Sequence, residues 1–340
     1  MPLKEYLDIR VQQYRFEKIL HGLVEVLVGL KIEEPTAIKI LQLFESMVAK
    51  ESVWWPDSDQ AILDQFSDLI DREPEIFGGN LLNSMKRLLS AGSTGSKFAP
   101  KWNLQIYGTS DEEPVDATYL PRGSAVLVNV NESDGLYALT AGHILTEVEG
   151  VEKVKHFMAL WDSRGVYKQG KDLCSVEVVK NFLVEKEPLD LAVLKITDLN
   201  KKPSEVGIDL LDSLALKHCL EQSACGIVFG WGLYDYDPNR PDHLISPNML
   251  RDVVVELAFE ANHSKTVFQC SSFDERGPCK GDSGGPLVVV TEDGIKLAGI
   301  VLGTETGGKR CHSHDFPTEF LAPASVQNEI LDAIKLYESQ

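Results

Sequence analysis

The sequence predicts an all-α segment followed by an all-β unit. Three observations carry that division. Apolar residues recur at spacings of three and four before about residue 95, a small polar run, Ala91-Gly92-Ser93-Thr94-Gly95-Ser96, comes next, and short apolar runs parted by turn residues fill the remainder. With 43% hydrophobic and 25% charged residues, the 340-residue chain is long and apolar enough for more than one compact unit.

In the first part, Ile19, Leu23, Val26, Leu27 and Leu30 share one helical face. Ile38, Ile40, Leu41, Leu43 and Phe44 form a second such set, and Ile62, Leu63, Phe66, Leu69 and Ile70 a third. Pro35-Thr36, Pro56-Asp57-Ser58 and Glu73-Pro74 punctuate them, and Asp57 or Ser58 can cap the third helix. A further helix ending near Leu89 completes an α-helical bundle over 1–92, and 93–102 reads as a flexible linker. From 103 to 340, strands are expected at Ala125 to Val130, Gly135 to Thr140, Lys153 to Leu160, Leu191 to Ile196, Gly226 to Phe229, Val253 to Phe259, Pro286 to Val290 and Ile295 to Val301. Helical spacing returns from Val326 to Tyr337.

The formal net charge of −19 disfavours nonspecific binding to nucleic acid or anionic membranes. Leu20 to Leu30, the most apolar early stretch, is broken by His21 and Glu25 and is too short to span a bilayer. No apolar leader with a small-residue cleavage site opens the chain, so a cytoplasmic location is expected. Cys311-His312-Ser313-His314-Asp315 is too tightly spaced for a usual zinc motif and reads as a polar loop.

Three segments carry chemistry. Cys279-Lys280-Gly281-Asp282-Ser283-Gly284-Gly285-Pro286 sets one serine among backbone-permissive residues ahead of an apolar run. A serine hydroxyl is a weak nucleophile that needs a base and fixed donors for the oxyanion it creates. Tyr137 to Leu145 is a strand ending in a small-residue turn that carries His143, a suitable base. Asp190 stands at the mouth of the apolar strand from Leu191 to Ile196, where a buried carboxylate needs a partner such as a histidine N–H. Singly, these residues read as a glycine-rich turn, a structural histidine and a strand-end cap.

In the order His, Asp, Ser, they resemble the chymotrypsin-like (trypsin-fold) serine proteases. Thr140-Ala141-Gly142-His143, Asp190-Leu191-Ala192-Val193-Leu194 and Gly281-Asp282-Ser283-Gly284-Gly285-Pro286 stand for the family's three marks. Phe229-Gly230-Trp231-Gly232 and Gly299-Ile300-Val301 are similar to two more of its strands. The resemblance covers about 103–340 and implies a double Greek-key barrel protease closed by a C-terminal helix. It implies an endopeptidase acting on protein substrates, without metal or cofactor. Ser283 would be the nucleophile, His143 the base and then the acid, and Asp190 the group that orients His143. The N–H groups of Gly281 and Ser283 would form the oxyanion hole, and Gly277, Leu302, Gly303 and Thr304 the substrate pocket. The alternative is a non-catalytic binding module that keeps the fold.

The chain also departs from the family. Gly277 stands where trypsin has an aspartate, and Leu302-Gly303-Thr304 where relatives commonly show Ser-Trp-Gly. Ile144 replaces the cysteine that staples the histidine loop in secreted relatives, leaving Cys279 with Cys311 as the resemblance's surviving pair, or as free thiols in a reducing compartment. In those relatives the aspartate at position 282 pairs with a new Ile or Val N-terminus, yet 96–102 holds no Ile-Val-Gly-Gly. Control as a single chain is therefore expected. The helical segment, whose size resembles death-fold and effector-associated adaptor domains, would bind a partner or self-associate in a signalling or defence assembly. It could equally serve as an internal brace or an inhibitory pro-region.

Overall fold

The protein is described from a computed structural model at residues 2–29, 100–110, 119–130, 133–146, 154–161, 173–186, 188–232, 235–237, 240–245, 250–258, 266–272, 277–304 and 317–340. Its contacts divide into two units, Met1–Asp8 with Ser93–Gln340 and, separately, Ile9–Gly92. Helix α1 (Leu3–Gly29) is the described part of the N-terminal region. The remainder of the bundle expected over 1–92 lies outside the described residues.

Strands β1 (Asn103–Thr109), β2 (Leu120–Val128), β3 (Leu136–Thr140), β4 (His156–Leu160), β5 (Cys174–Asn181) and β6 (Ala192–Ile196) close into a barrel in the order β1-β2-β3-β6-β5-β4. Helix α2 (Pro203–Val206), strand β7 (Asp209–Leu210) and helix α3 (Ser213–Glu221) connect it to the next set. That set comprises β8 (Cys225–Gly230), β9 (Asp235–Asp237), β10 (Arg240–Ile245), β11 (Arg251–Ala258), β12 (Val267–Ser271), β13 (Pro286–Thr291), β14 (Gly294–Thr304) and β15 (Thr318–Leu321). Here β13-β8-β11-β12-β15-β14 forms a second ring, closed by the β13–β14 pairing, with β7 added alongside β14 and β9–β10 set apart as a ribbon. Counting only ring strands in chain order, both rings run 1-2-3-6-5-4, so two antiparallel barrels share one winding. Closure leaves no open sheet edge in either ring.

Burial explains why these segments are strands. Every residue of β1 and β3 is buried, while β11 mixes buried and half-buried positions. Leu104, Ile106, Leu127, Leu139 and Leu194 are buried strand residues of the first barrel. In the second, Val228, Val255, Leu257, Phe268, Leu287, Val289, Val301 and Phe320 form one core, with Phe268 stacked on Phe320 at 5.7 Å. Trp102, at the end of the expected linker, is buried and meets Phe229 of β8 edge-on at 5.4 Å, joining the start of the first barrel to the second.

Two terminal segments tie down the barrels. Tyr6 and Leu7 are buried; the Tyr6 hydroxyl donates to Asp252 Oδ2 on β11 at 2.7 Å, and Lys4 Nζ donates to the Thr291 carbonyl at 3.1 Å. At the other end, α4 (Gln327–Glu338) buries Ile330 and Ile334 and contacts β5 and β6 of the first barrel. Its Glu338 accepts from the buried Tyr137 hydroxyl at 2.9 Å and from Ser133, while Tyr337 bonds Glu177 and lies 4.9 Å beneath Lys195 Nζ. Burial and the Glu338 carboxylate push the Tyr137 hydroxyl up to about 12.

Glu338→Ala would remove the Tyr137 hydroxyl's carboxylate acceptor and leave it Ser133, at a cost of about 1 kcal/mol in thermal unfolding. Equal melting temperatures for Glu338→Ala and the unsubstituted chain would show that this clamp carries no stability.

Candidate active site

His143 sits in the 3₁₀ turn Gly142–Leu145 that follows β3. Asp190, just before β6, accepts two hydrogen bonds from it: the His143 main-chain N–H at Oδ1 (2.8 Å) and ring Nδ1 at Oδ2 (2.7 Å). A carboxylate can only accept here, so Nδ1 carries the proton and Nε2 keeps its lone pair. The pair is partly open to solvent, at 40% and 26% side-chain exposure.

The turn carrying His143 has no disulfide staple; side chains hold it instead. Arg122 donates from Nε to the Ile144 carbonyl (3.2 Å) and from Nη2 to the Thr146 carbonyl (2.9 Å). Asn181, at the end of β5, donates to the Gly142 carbonyl (3.1 Å), and Thr146 Oγ1 to the His143 carbonyl (2.8 Å). Sequence reading missed Arg122 and Asn181, because their acceptors are main-chain carbonyls that carry no sequence signal.

Ser283 comes from the second barrel, in the loop before β13. The Ser124 N–H on β2 donates to the Ser283 carbonyl at 2.9 Å, and Thr140 Oγ1 donates to the Ser124 carbonyl at 2.7 Å. Gly284 follows at φ +82, and a Cβ there would collide with the Ser124 carbonyl and Thr140 Oγ1. Only glycine meets both demands. The structure thus sets the Ser283 loop against the barrel that carries His143. The Ser283 hydroxyl itself donates to the Leu302 carbonyl at 3.4 Å; among the described residues it makes no bond to His143.

Of the amides in this loop, those of Asp282, Gly284 and Gly285 donate to the carbonyls of Cys279, Val301 and Asp282. Those of Gly281, at φ +98, and Ser283 find no acceptor among the described residues. The Asp282 carboxylate turns inward and accepts from the N–H groups of Gly232 (2.6 Å) and Cys279 (2.8 Å). Gly230 and Gly232 wrap it so closely that a Cβ on either would strike the carboxylate. Burial pushes this group up to about 6, against the opposing pull of the two amides and Arg251.

Of the expected pocket residues, Gly277, Leu302 and Gly303 are half-buried. Gly303 follows an irregularity in β14, and Thr304 ends that strand in register with the buried Thr318 of β15. Cys279 is disulfide-bonded, whereas Cys174, Cys219, Cys225 and Cys270 are in no disulfide; Cys311 and the rest of 305–316 lie outside the described residues. Among the described residues no cluster suited to a metal ion occurs, and no helix is long and apolar enough to cross a membrane.

The family model Trypsin matches residues 126–330, more than half of the chain. The chain belongs to the trypsin family. It is 26% identical over 170 residues to "Trypsin epsilon" of Drosophila erecta, covering 48% of this chain and 62% of that protein. Similarity to "Lectizyme" of Glossina austeni is 28% over 128 residues (34% and 43%), and to "Hypodermin-A" of Hypoderma lineatum 24% over 200 residues (57% and 72%). The chain therefore carries a trypsin-like serine protease domain of two six-stranded barrels, and it spans about three-fifths of the fly trypsin.

The buried carboxylate has a measurable pH signature. Its folded value, about 6, lies above the ordinary 3.8, so the folded chain binds the extra proton between those values. The stability linked to Asp282 is present at the acid end of that window and is lost as pH rises through it, by about 3 kcal/mol in all. Asp282→Asn removes that loss, so its melting temperature relative to the unsubstituted chain should climb from pH 4 to pH 7. A constant difference would show that Asp282 is not a strained buried anion.

Proposed function

We propose that this trypsin-family chain is an active serine endopeptidase in which Ser283, His143 and Asp190 work as one unit. The single observation that carries this reading is the grip of both Asp190 oxygens on His143, one on the ring and one on the main chain. It fixes the tautomer whose Nε2 can take a proton, and it stabilises the imidazolium once the proton arrives. Ser283 then attacks a peptide carbonyl, and its proton passes to His143. The carbonyl oxygen becomes an oxyanion beside the amides of Gly281 and Ser283, which find no acceptor among the described residues. His143 returns the proton to the departing amine, the acyl-enzyme forms, and water activated by the same histidine releases the acid.

The substrate is a protein segment whose side chain enters beside Gly277, Leu302, Gly303 and Thr304. Without a charge at Gly277, no preference for arginine or lysine is inherited from trypsin itself. The helical segment 1–92 is proposed as the regulatory part, binding a partner or a second copy. Support for it is the helical spacing of its sequence together with α1.

Incubating the purified chain with a peptide library and with a fluorophosphonate probe tests the reading. Hydrolysis and labelling are expected, with Ser283→Ala abolishing both and His143→Ala lowering hydrolysis by at least about a thousandfold while the melting curve is kept. A folded, unsubstituted chain that neither cleaves nor labels would mark a binding module that has kept the protease fold.

A further inference from the structure

Asp282 is half-buried with its carboxylate turned inward, yet its two amide donors carry only partial charge. A buried carboxylate that stays ionised requires a cation or a dense set of donors. Among the described residues Arg251, at the start of β11, is the one cation whose charge opposes that burial; it is the smallest of the influences on the carboxylate and forms no ion pair with it. The strand register explains how. Arg251 lies directly across from Gly230, and Gly230 is one of the two glycines pressed against the Asp282 carboxylate. Opposite residues in an antiparallel pair stand about 4.5–5.5 Å apart at Cα, so the start of Arg251 is one strand spacing from the cage wall. The next residue, Asp252, is the buried acid to which Tyr6 donates, so β11 is anchored at this point by the N-terminal segment.

We infer that Arg251 is a positioning residue for the nucleophile loop, the internal cation that holds Asp282 inward and thereby fixes the Gly281 and Ser283 amides. The chain then needs no newly released N-terminus to compensate Asp282. The charge comes from a neighbouring strand, already present in the intact chain. Arg251 touches no substrate; it acts through Asp282, which is adjacent in sequence to both amides. This inference rests on the protease reading above, because the amides it positions matter only if Ser283 attacks a carbonyl.

The test uses the full chain and four variants: Arg251→Met, Arg251→Lys, Asp282→Asn and the Arg251→Met/Asp282→Asn double. Each is measured for fluorophosphonate labelling of Ser283, peptide hydrolysis and melting temperature. Arg251→Met should label and turn over at least about tenfold more slowly, the direction expected when oxyanion donors lose their positions. Arg251→Lys should restore most of the rate, since it returns the charge; a merely structural loss of arginine packing would not be rescued in that way. The double variant should melt above Arg251→Met, because it removes the uncompensated buried anion. This comparison of stabilities holds even if Arg251→Met is too unstable to assay. Wild-type labelling rates in a folded Arg251→Met, or a double variant no more stable than Arg251→Met, would overturn the inference. A folded unsubstituted chain that fails to label would instead overturn the protease reading and the inference with it.

Discussion

The hydrogen bond from the Ser124 N–H to the Ser283 carbonyl is the joint on which the site depends. Each barrel is closed on itself, so nothing in either ring's own pairing sets where the loop of one lies against the turn of the other. The Ser124–Ser283 bond sets it, backed by Thr140 on the Ser124 carbonyl and by the missing Cβ at Gly284. Thr140 ends β3, and His143 follows within the next turn. The same short stretch of the first barrel therefore locates the serine loop and carries the proposed base. Trp102 against Phe229 adds an apolar contact between the barrels.

Around this joint, the protein relies on ordinary hydrogen bonds and close packing. The histidine turn is held by Arg122 and Asn181 on main-chain carbonyls instead of by a staple. The Asp282 cage is built from two amides and two glycines, one of them paired across the sheet with Arg251. Both arrangements are charge-assisted or close-packed, and both depend on register between strands far apart in the chain. A buried, partly compensated anion reduces stability, and its retention next to Ser283 fits the tendency of functional sites to hold strain that the surrounding fold must offset.

Much of the second, all-β part was legible because its central strands are nearly continuous apolar runs, such as Leu136–Thr140 and Pro286–Thr291. The strands that escaped notice include β1, the short β7, β9 and β10, and others that complete the rings by backbone pairing. β5 carries Glu177 and Lys180, β12 is five residues long, and β15 reads Thr-Glu-Phe-Leu. Helix α3, capped by Asp212 on the amides of Leu214 and Ala215, was also unforeseen. His143, Asp190 and Ser283 stood out as candidates through the order of their three segments, each residue having a structural reading on its own. Arg122, Asn181 and Arg251 were not, since an arginine or asparagine gains meaning only from which carbonyl or carboxylate the fold places near it. The bundle expected over 1–92 extends beyond the described residues, and its helical periodicity is what supports it.

In the proposed mechanism, the intact chain presents Ser283 to His143 with the Gly281 and Ser283 amides already facing the reacting oxygen. A crystal structure of the uncleaved chain with Ser283 phosphonylated tests this most directly. The expected adduct has a phosphoryl oxygen within hydrogen-bond reach of both amides, His143 Nε2 directed at it, and Asp282 still enclosed by Gly230 and Gly232. An adduct whose oxygen faces solvent, with Asp282 turned out of its cage, would contradict it.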